Sequence, residues 1–148
     1  MADRLDELCR AGYLSSLDCH FARLIERVGG GDGAVTLAAA LASRSTGRGH
    51  ICLDLAEIAG RPLAGEGLPT SVEPPPLKDW IGALRRSGAV AAPGGFAPLV
   101  LDGMGRLYLF RYWAYEREVA EELEARLRGA PPAVDPGRLR AGLDRLFP

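Results

Sequence analysis

The segment PLVLDGMGRLYLF, residues 98–110, limits most what this chain can fold into. Two runs of alternating apolar residues flank Asp102-Gly103-Met104-Gly105, and glycines at the centre let the backbone reverse. The pattern predicts a β-hairpin over 98–110. A second alternating run, HICLDL, places Ile51, Leu53 and Leu55 opposite Cys52 and Asp54, as a half-buried strand over 50–54 would. The expected sheet is small and antiparallel: the strand plus the hairpin.

Everything else reads as helix or connection. ADRLDELCRAG carries Leu5 and Leu8 at helical spacing and stops at Gly12. The next helix starts behind Ser15 or Ser16, and Leu17, Phe21, Leu24 and Val28 form its apolar stripe. AVTLAAALASRSTGRG, with Leu37 and Leu41 four apart, is a small-residue helix suited to close packing on several sides. LAEIAG makes one or two helical turns, and LKDWIGALRRSGAV turns Trp80 and Leu84 inward. Between them, residues 60–76 carry five prolines and read as an exposed loop. Arg111 to Arg128 is the longest helix, with Tyr112, Tyr115, Val119, Leu123 and Leu127 on one side. Glu122 with Arg126 and Glu124 with Arg128 pair four apart on another side. After the short linker GAPPAVDPG, GRLRAGLDRLF forms a last helix before Pro148. The fold class expected is α+β, mainly helical, with about six helices in one domain over 1–148. The element order over 34–110 matches a winged-helix arrangement, with 77–87 as recognition helix and 98–110 as wing.

Charge excludes one class of function. A net charge of −1 argues against a polyanion binder that works by bulk electrostatics. Of the 18 basic residues only Lys78 is lysine. Arg, Ala, Gly and Pro all have GC-rich codons, so codon usage explains the arginines without an arginine-built site. Cys9, Cys19 and Cys52 are too few and scattered for a disulfide framework. MADRLDELCRAG lacks the apolar run of a signal peptide, and no stretch approaches the roughly 20 apolar residues of a membrane span. The expected compartment is the cytoplasm.

Catalytic constellations are not found. GGGDG at 29–33 follows a helix, and no Gly-Lys dipeptide occurs, so a helix–helix connection is favoured over a phosphate loop. Cys19-His20 and His50-Ile51-Cys52 could supply four zinc ligands in number. Neighbouring helical residues diverge by about 100°, however, so Cys19 and His20 would not share an ion. Ser43 and Ser45 have no evident base, and Glu116, Glu118, Glu121 and Glu122 read as a solvated face. Five of the ten aromatic residues stand within LYLFRYWAYERE, 107–118. Stacking of Trp113 and Arg111 on a nucleic-acid base is weighed against packing of the hairpin on the helix that follows. Packing is favoured, with one or two residues left for a partner.

Several stretches carry a family resemblance: LDCHFA (17–22), TLAAALASRSTGRGHICLDL (36–55), Trp80 with Leu84 and Ser87 to Val90, and PLVLDGMGRLYLFRYWAYEREVAEEL (98–123). Together they resemble the N-terminal region of RecD, the alpha subunit of exodeoxyribonuclease V, the RecBCD helicase–nuclease. The most specific pieces are Gly49 to Leu53, Leu107-Tyr108-Leu109, Arg111-Tyr112-Trp113 and Glu116. The resemblance implies a docking domain that seats the subunit on RecC within the RecBCD complex, in double-strand-break repair and recombination. It implies a longer parent protein, a 5′-to-3′ DNA helicase whose ATP and Mg²⁺ sites lie beyond Pro148. No cofactor, metal or catalytic residue is expected in this chain, and DNA would be met mainly through the parent. The expected partner residues are Arg111, Tyr112, Trp113 and Tyr115. The alternative, a DNA-binding winged helix, would use Arg85, Arg86 and Arg106.

Overall fold

The structure is a computed structural model that describes residues 2–63, 72–129 and 133–147. The chain divides into two compact units, Met1–Glu116 and Arg117–Pro148.

In the first unit, helix α1 (Ala2–Arg10) buries Leu5 and Leu8. Ser15 then caps α2 (Ser16–Gly29): its hydroxyl accepts from the Asp18 N–H at 3.2 Å, and the Asp18 carboxylate accepts from the Ser15 N–H at 2.9 Å. This reciprocal pair fixes where the helix begins. The inward residues of α2 are Asp18, Cys19, Ala22 and Ile25. The expected stripe is turned outward instead, with Leu17, Leu24 and Val28 exposed and Phe21 half-buried against the core. The small Ala22 is fully buried on the inner face, and the Ser43 hydroxyl donates to the Asp18 carboxylate across the two helices at 2.5 Å.

Helix α3 (Gly33–Gly47) begins at Asp32, whose carboxylate accepts from the Ala34 N–H at 2.8 Å. Every residue from Ala34 to Ser43 is buried, as a run of small residues packed from several sides requires. The preceding glycines are a helix connection: Gly30 ends α2 at φ +92° and Gly31 follows at φ +82°. Strand β1 (Cys52–Asp54) leads into the single turn α4 (Leu55–Ile58).

Part of the 60–76 loop, residues 64–71, lies outside the described residues. Its two ends are exposed as expected at Gly60, Arg61, Pro62, Glu73 and Pro76, but each also sends apolar residues inward. Leu63, Val72 and Pro74 are buried, and the Leu63 N–H donates to the Val72 carbonyl at 3.0 Å. Helix α5 (Leu77–Arg86) buries Trp80, Ala83 and Leu84. Strands β2 (Val90–Ala91), β3 (Leu99–Leu101) and β4 (Arg106–Leu109) complete a sheet in the order β1-β4-β3-β2. The hairpin and β1 pair antiparallel as expected, with Cys52 opposite Tyr108 and Leu101 opposite Leu107. Strand β2 adds a parallel edge to β3, which makes the sheet mixed. Two residues are too short to show alternation in a sequence. Strand β4 lies between β1 and β3, and the whole is a mainly helical α+β fold with a small mixed sheet.

Cys9 and Cys19 form a disulfide between α1 and α2, with Cα atoms 6.4 Å apart. Too few cysteines for a framework still allowed one staple.

The second unit holds the later part of α6 (Phe110–Arg128) and α7 (Pro136–Leu146). Asp135 caps α7 by accepting from the Gly137 N–H at 2.8 Å. Arg117 pairs with Glu121, and Arg128 with Glu124, along α6. Val119, Leu123 and Leu127 are exposed, as are Leu139, Leu143 and Leu146. None of the α6 residues is fully buried, so the apolar side from Tyr112 to Leu127 is not a core face. Periodicity defines an apolar face, but burial also needs a surface to cover it. Residues 130–132 of the linker, and Pro148, lie outside the described residues. Among the described residues there are seven helices, none long and apolar enough to cross a membrane.

Candidate partner interface

The aromatic cluster is divided by the passage from β4 into α6. Tyr108, in the middle of the sheet opposite Cys52 and Val100, is buried. Burial, with the neighbouring Cys52 and Glu116, pushes its hydroxyl up to about 12, so it remains a neutral phenol. Phe110 is half-buried and meets the ring of Phe96 edge-on at 4.9 Å. Arg111, Tyr112 and Tyr115 are exposed, and Trp113 is half-buried. Successive residues fan round a helix, so the four cannot share one direction. Tyr112 and Tyr115 lie edge to face, 6.5 Å between centroids, and present one aromatic ledge. The packing role expected of most of the cluster is carried by Tyr108 with partial help from Phe110 and Trp113.

The alternative set is placed differently. Arg85 and Arg86 are exposed in the last turn of α5. Arg85 borders a cleft of about 290 Å³ that reaches Asp102 and Gly103 at the hairpin tip. Arg106 is not a free cation. Its Nε donates to the Asp102 carboxylate at 2.7 Å, and that carboxylate also accepts from the Met104 and Arg106 N–H groups, each at 2.9 Å. Partial burial alone would raise the Asp102 carboxyl. The bonds from Arg106 and Met104 outweigh it and hold the group below its usual range. The sequence showed Arg106 on the hairpin but not the turn that neutralises it.

A cleft of about 810 Å³ opens in the same unit beside Tyr112. Its lining includes Tyr13, Leu17, Asp18, Arg44, Arg48 and Tyr112. The Asp18 carboxylate is buried and saturated, accepting from Ser15 N, Ser15 Oγ and Ser43 Oγ, the last at 2.5 Å. Arg44 is held by Nε donation to the Tyr13 carbonyl at 2.8 Å, with its guanidinium 3.7 Å from the centre of the Tyr13 ring. Arg48, one turn further along α3, is exposed. The sequence reading missed Tyr13, Arg44 and Arg48. The i, i+4 spacing of the two arginines was visible, but no residue in the sequence marked that this end of α3 borders a cavity.

Neither nucleophilic nor metal chemistry is assembled from the other candidates. Ser43 is committed to Asp18, and the Ser45 hydroxyl donates to the Cys52 carbonyl at 3.0 Å. Burial pushes the Cys52 thiol up, against a bond from Tyr108 that lowers it, which disfavours the thiolate. Cys19 is committed to Cys9, while His20 and His50 are exposed. Among the described residues no group of three or more His, Cys, Asp or Glu could hold a metal ion.

Comparison with known proteins adds a family. The family described as RecBCD enzyme subunit RecD, N-terminal domain, matches residues 10–108. The RecBCD enzyme subunit RecD of Mycobacterium tuberculosis (strain ATCC 25618 / H37Rv) is 39% identical over 140 residues, covering 94% of this chain and 22% of that protein. The subunit of the same name from Mycolicibacterium smegmatis (strain ATCC 700084 / mc(2)155) is 33% identical over 127 residues, or 85% of this chain and 21% of its own length. The chain spans about a fifth of the length of these curated relatives.

Proposed function

Because the chain belongs to the RecD N-terminal domain family, we propose that it is a non-catalytic docking domain, one that seats a RecD-type subunit on a RecC-like partner in a RecBCD-type complex. The observation that carries this reading is the ledge at the start of α6, where Tyr112 and Tyr115 stand exposed beside a sealed core. Tyrosine, tryptophan and arginine are the side chains that most often anchor protein interfaces, and Arg111 and Trp113 complete the set. The proposal extends to the parent protein: an ATP-dependent 5′-to-3′ DNA helicase subunit of exodeoxyribonuclease V, cytoplasmic, acting in double-strand-break repair and recombination. ATP and Mg²⁺ would be bound outside this chain. The glycines at 29–31 cap one helix and lead into the next, with no lysine following to meet a phosphate.

Co-elution of the purified chain with the RecC-type subunit of the same organism tests the docking role. Tyr115→Ser is expected to weaken the complex by about fivefold or more and to leave the melting temperature nearly unchanged. Absence of a complex, or unchanged affinity in both Tyr112→Ser and Tyr115→Ser, overturns the assignment. ATPase, helicase and nuclease assays should stay at background, and turnover abolished by a point substitution here would refute the non-catalytic part.

A second reading draws on the winged-helix order and on the exposed Arg85 and Arg86 of α5. Under it the domain touches DNA directly, although Asp102 already neutralises Arg106. Binding to duplex or tailed DNA that weakens steeply with salt would support this reading. No measurable binding at low salt eliminates it.

A further inference from the structure

We infer that the outward ridge of α2, with the arginine-walled cleft at its N-terminal end, receives an amphipathic partner segment that carries acidic residues beside its apolar stripe. The inference rests on the docking reading above and extends the contact surface from the α6 ledge, whose Tyr112 also lines the cleft, onto α2.

Three observations carry it. First, α2 is apolar on two faces. Its inner face is closed by Cys19, Ala22 and Ile25, yet Leu17 is 73%, Leu24 47% and Val28 54% exposed. Residues spaced by three and four form a continuous ridge along a helix, the form of surface that seats another helix. Second, the ridge runs into the 810 Å³ cleft, because Leu17 belongs to both. Third, the charge around it has one sign. Arg27 lies beside Val28, and Arg44 and Arg48 line the cleft; Arg27 and Arg48 are exposed and make no ion pair among the described residues. The carboxylates of α2 do not offset them: Asp18 is buried beneath three donors, and Glu26 falls on the far side of the helix from the ridge. Aliphatic side chains along the ridge suit leucine-type knobs better than stacked bases, and the guanidiniums suit carboxylates.

The test measures affinity of the intact chain for the RecC-type subunit with Leu17→Ser, Leu24→Ser and Arg48→Glu, and with Met104→Ser at the hairpin tip as control. Each ridge or cleft variant should bind about tenfold more weakly, with wild-type melting temperature, and Met104→Ser should bind as wild type. Raising salt should weaken the wild-type complex more than the Arg48→Glu complex. If wild type binds and the three variants bind equally well, this surface is wrong while docking stands. If wild type does not bind, both fall. A single-stranded 20-mer that binds the wild type, and whose binding is lost in Arg48→Glu but kept in Leu17→Ser, would overturn the proposal in favour of nucleic acid. A sedimenting dimer abolished by Leu24→Ser would overturn it in favour of a second copy of the chain.

Discussion

Asp102 closes the β3–β4 hairpin by accepting three hydrogen bonds, and its depressed carboxyl pKa makes that closure pH-dependent. A carboxylate whose folded pKa lies below its unfolded value of 3.8 stabilises the fold fully above that value and loses the contribution as pH falls through the folded pKa. Asp102→Asn is therefore expected to cost about 1.5–3 kcal/mol at pH 7, the range for hydrogen bonds to a charged group. Urea melts of both proteins from pH 7 to pH 2 check this: the gap should close below pH 3.8. A constant gap would show that shape, not charge, sets the turn. Trp80 gives the opposite kind of case, because its role was legible from spacing alone. It is fully buried, and its indole N–H donates to the Ala34 carbonyl at 2.8 Å. Trp80→Ala should cost about 3–5 kcal/mol in a denaturant melt, and a loss under 1 kcal/mol would mean the side chain is solvated. Arg106 was legible as a residue on the hairpin but not as a spent charge, since its partner is fixed by backbone geometry.

Among the elements, α2 shows what periodicity can and cannot say. Its extent was readable from Ser15 and from the glycines at 29–31, while its facing was not. Leu17, Phe21, Leu24 and Val28 make a stripe that looks like a core face. The true inner face, about 100° round, is built from Cys19, Ala22 and Ile25 with a buried Asp18. A polar residue satisfied by Ser15 and Ser43 cannot be recognised as a core position before those hydroxyls are placed. The close approach at the end of the same helix is a second feature that only the structure supplies. A Cβ on Gly29 would stand 2.7 Å from Ser87 Oγ and 3.1 Å from the Ala89 side chain. Gly29→Ala gains helix propensity of up to about 1 kcal/mol but must displace the segment leading into β2. Overpacking of this kind costs about 1–3 kcal/mol, so the variant is expected to be less stable than wild type. A thermal melt showing stabilisation would mean that the 87–89 segment yields freely.

At the scale of the molecule, every core residue among the described residues lies between Leu5 and Tyr108, inside the first unit. The family match, residues 10–108, covers nearly the same span. The hairpin and the β1 strand were legible because each alternates, and the alanine-rich helix because its run of small residues suits packing on several sides. The parallel strand Val90–Ala91 and the Cys9–Cys19 staple were not, since a two-residue strand has no period and pairing of cysteines is a matter of tertiary placement. Residues 117–147 follow a clear helical pattern, yet none of those described there is buried. Folding free energy scales with apolar area removed from water, so this second unit should add little to global stability. A fragment ending at Glu116 is accordingly expected to melt cooperatively, close to the temperature of the intact chain. In a Trp113→Phe background, which leaves Trp80 as the one tryptophan, fluorescence should report the same buried indole in both. A drop of more than about 8 °C, roughly 1–2 kcal/mol for a domain of this size, would show that residues 117–148 hold the core in place. An unchanged melt, together with rapid hydrogen exchange confined to 117–147 of the intact chain, would establish residues 1–116 as an independently folding body.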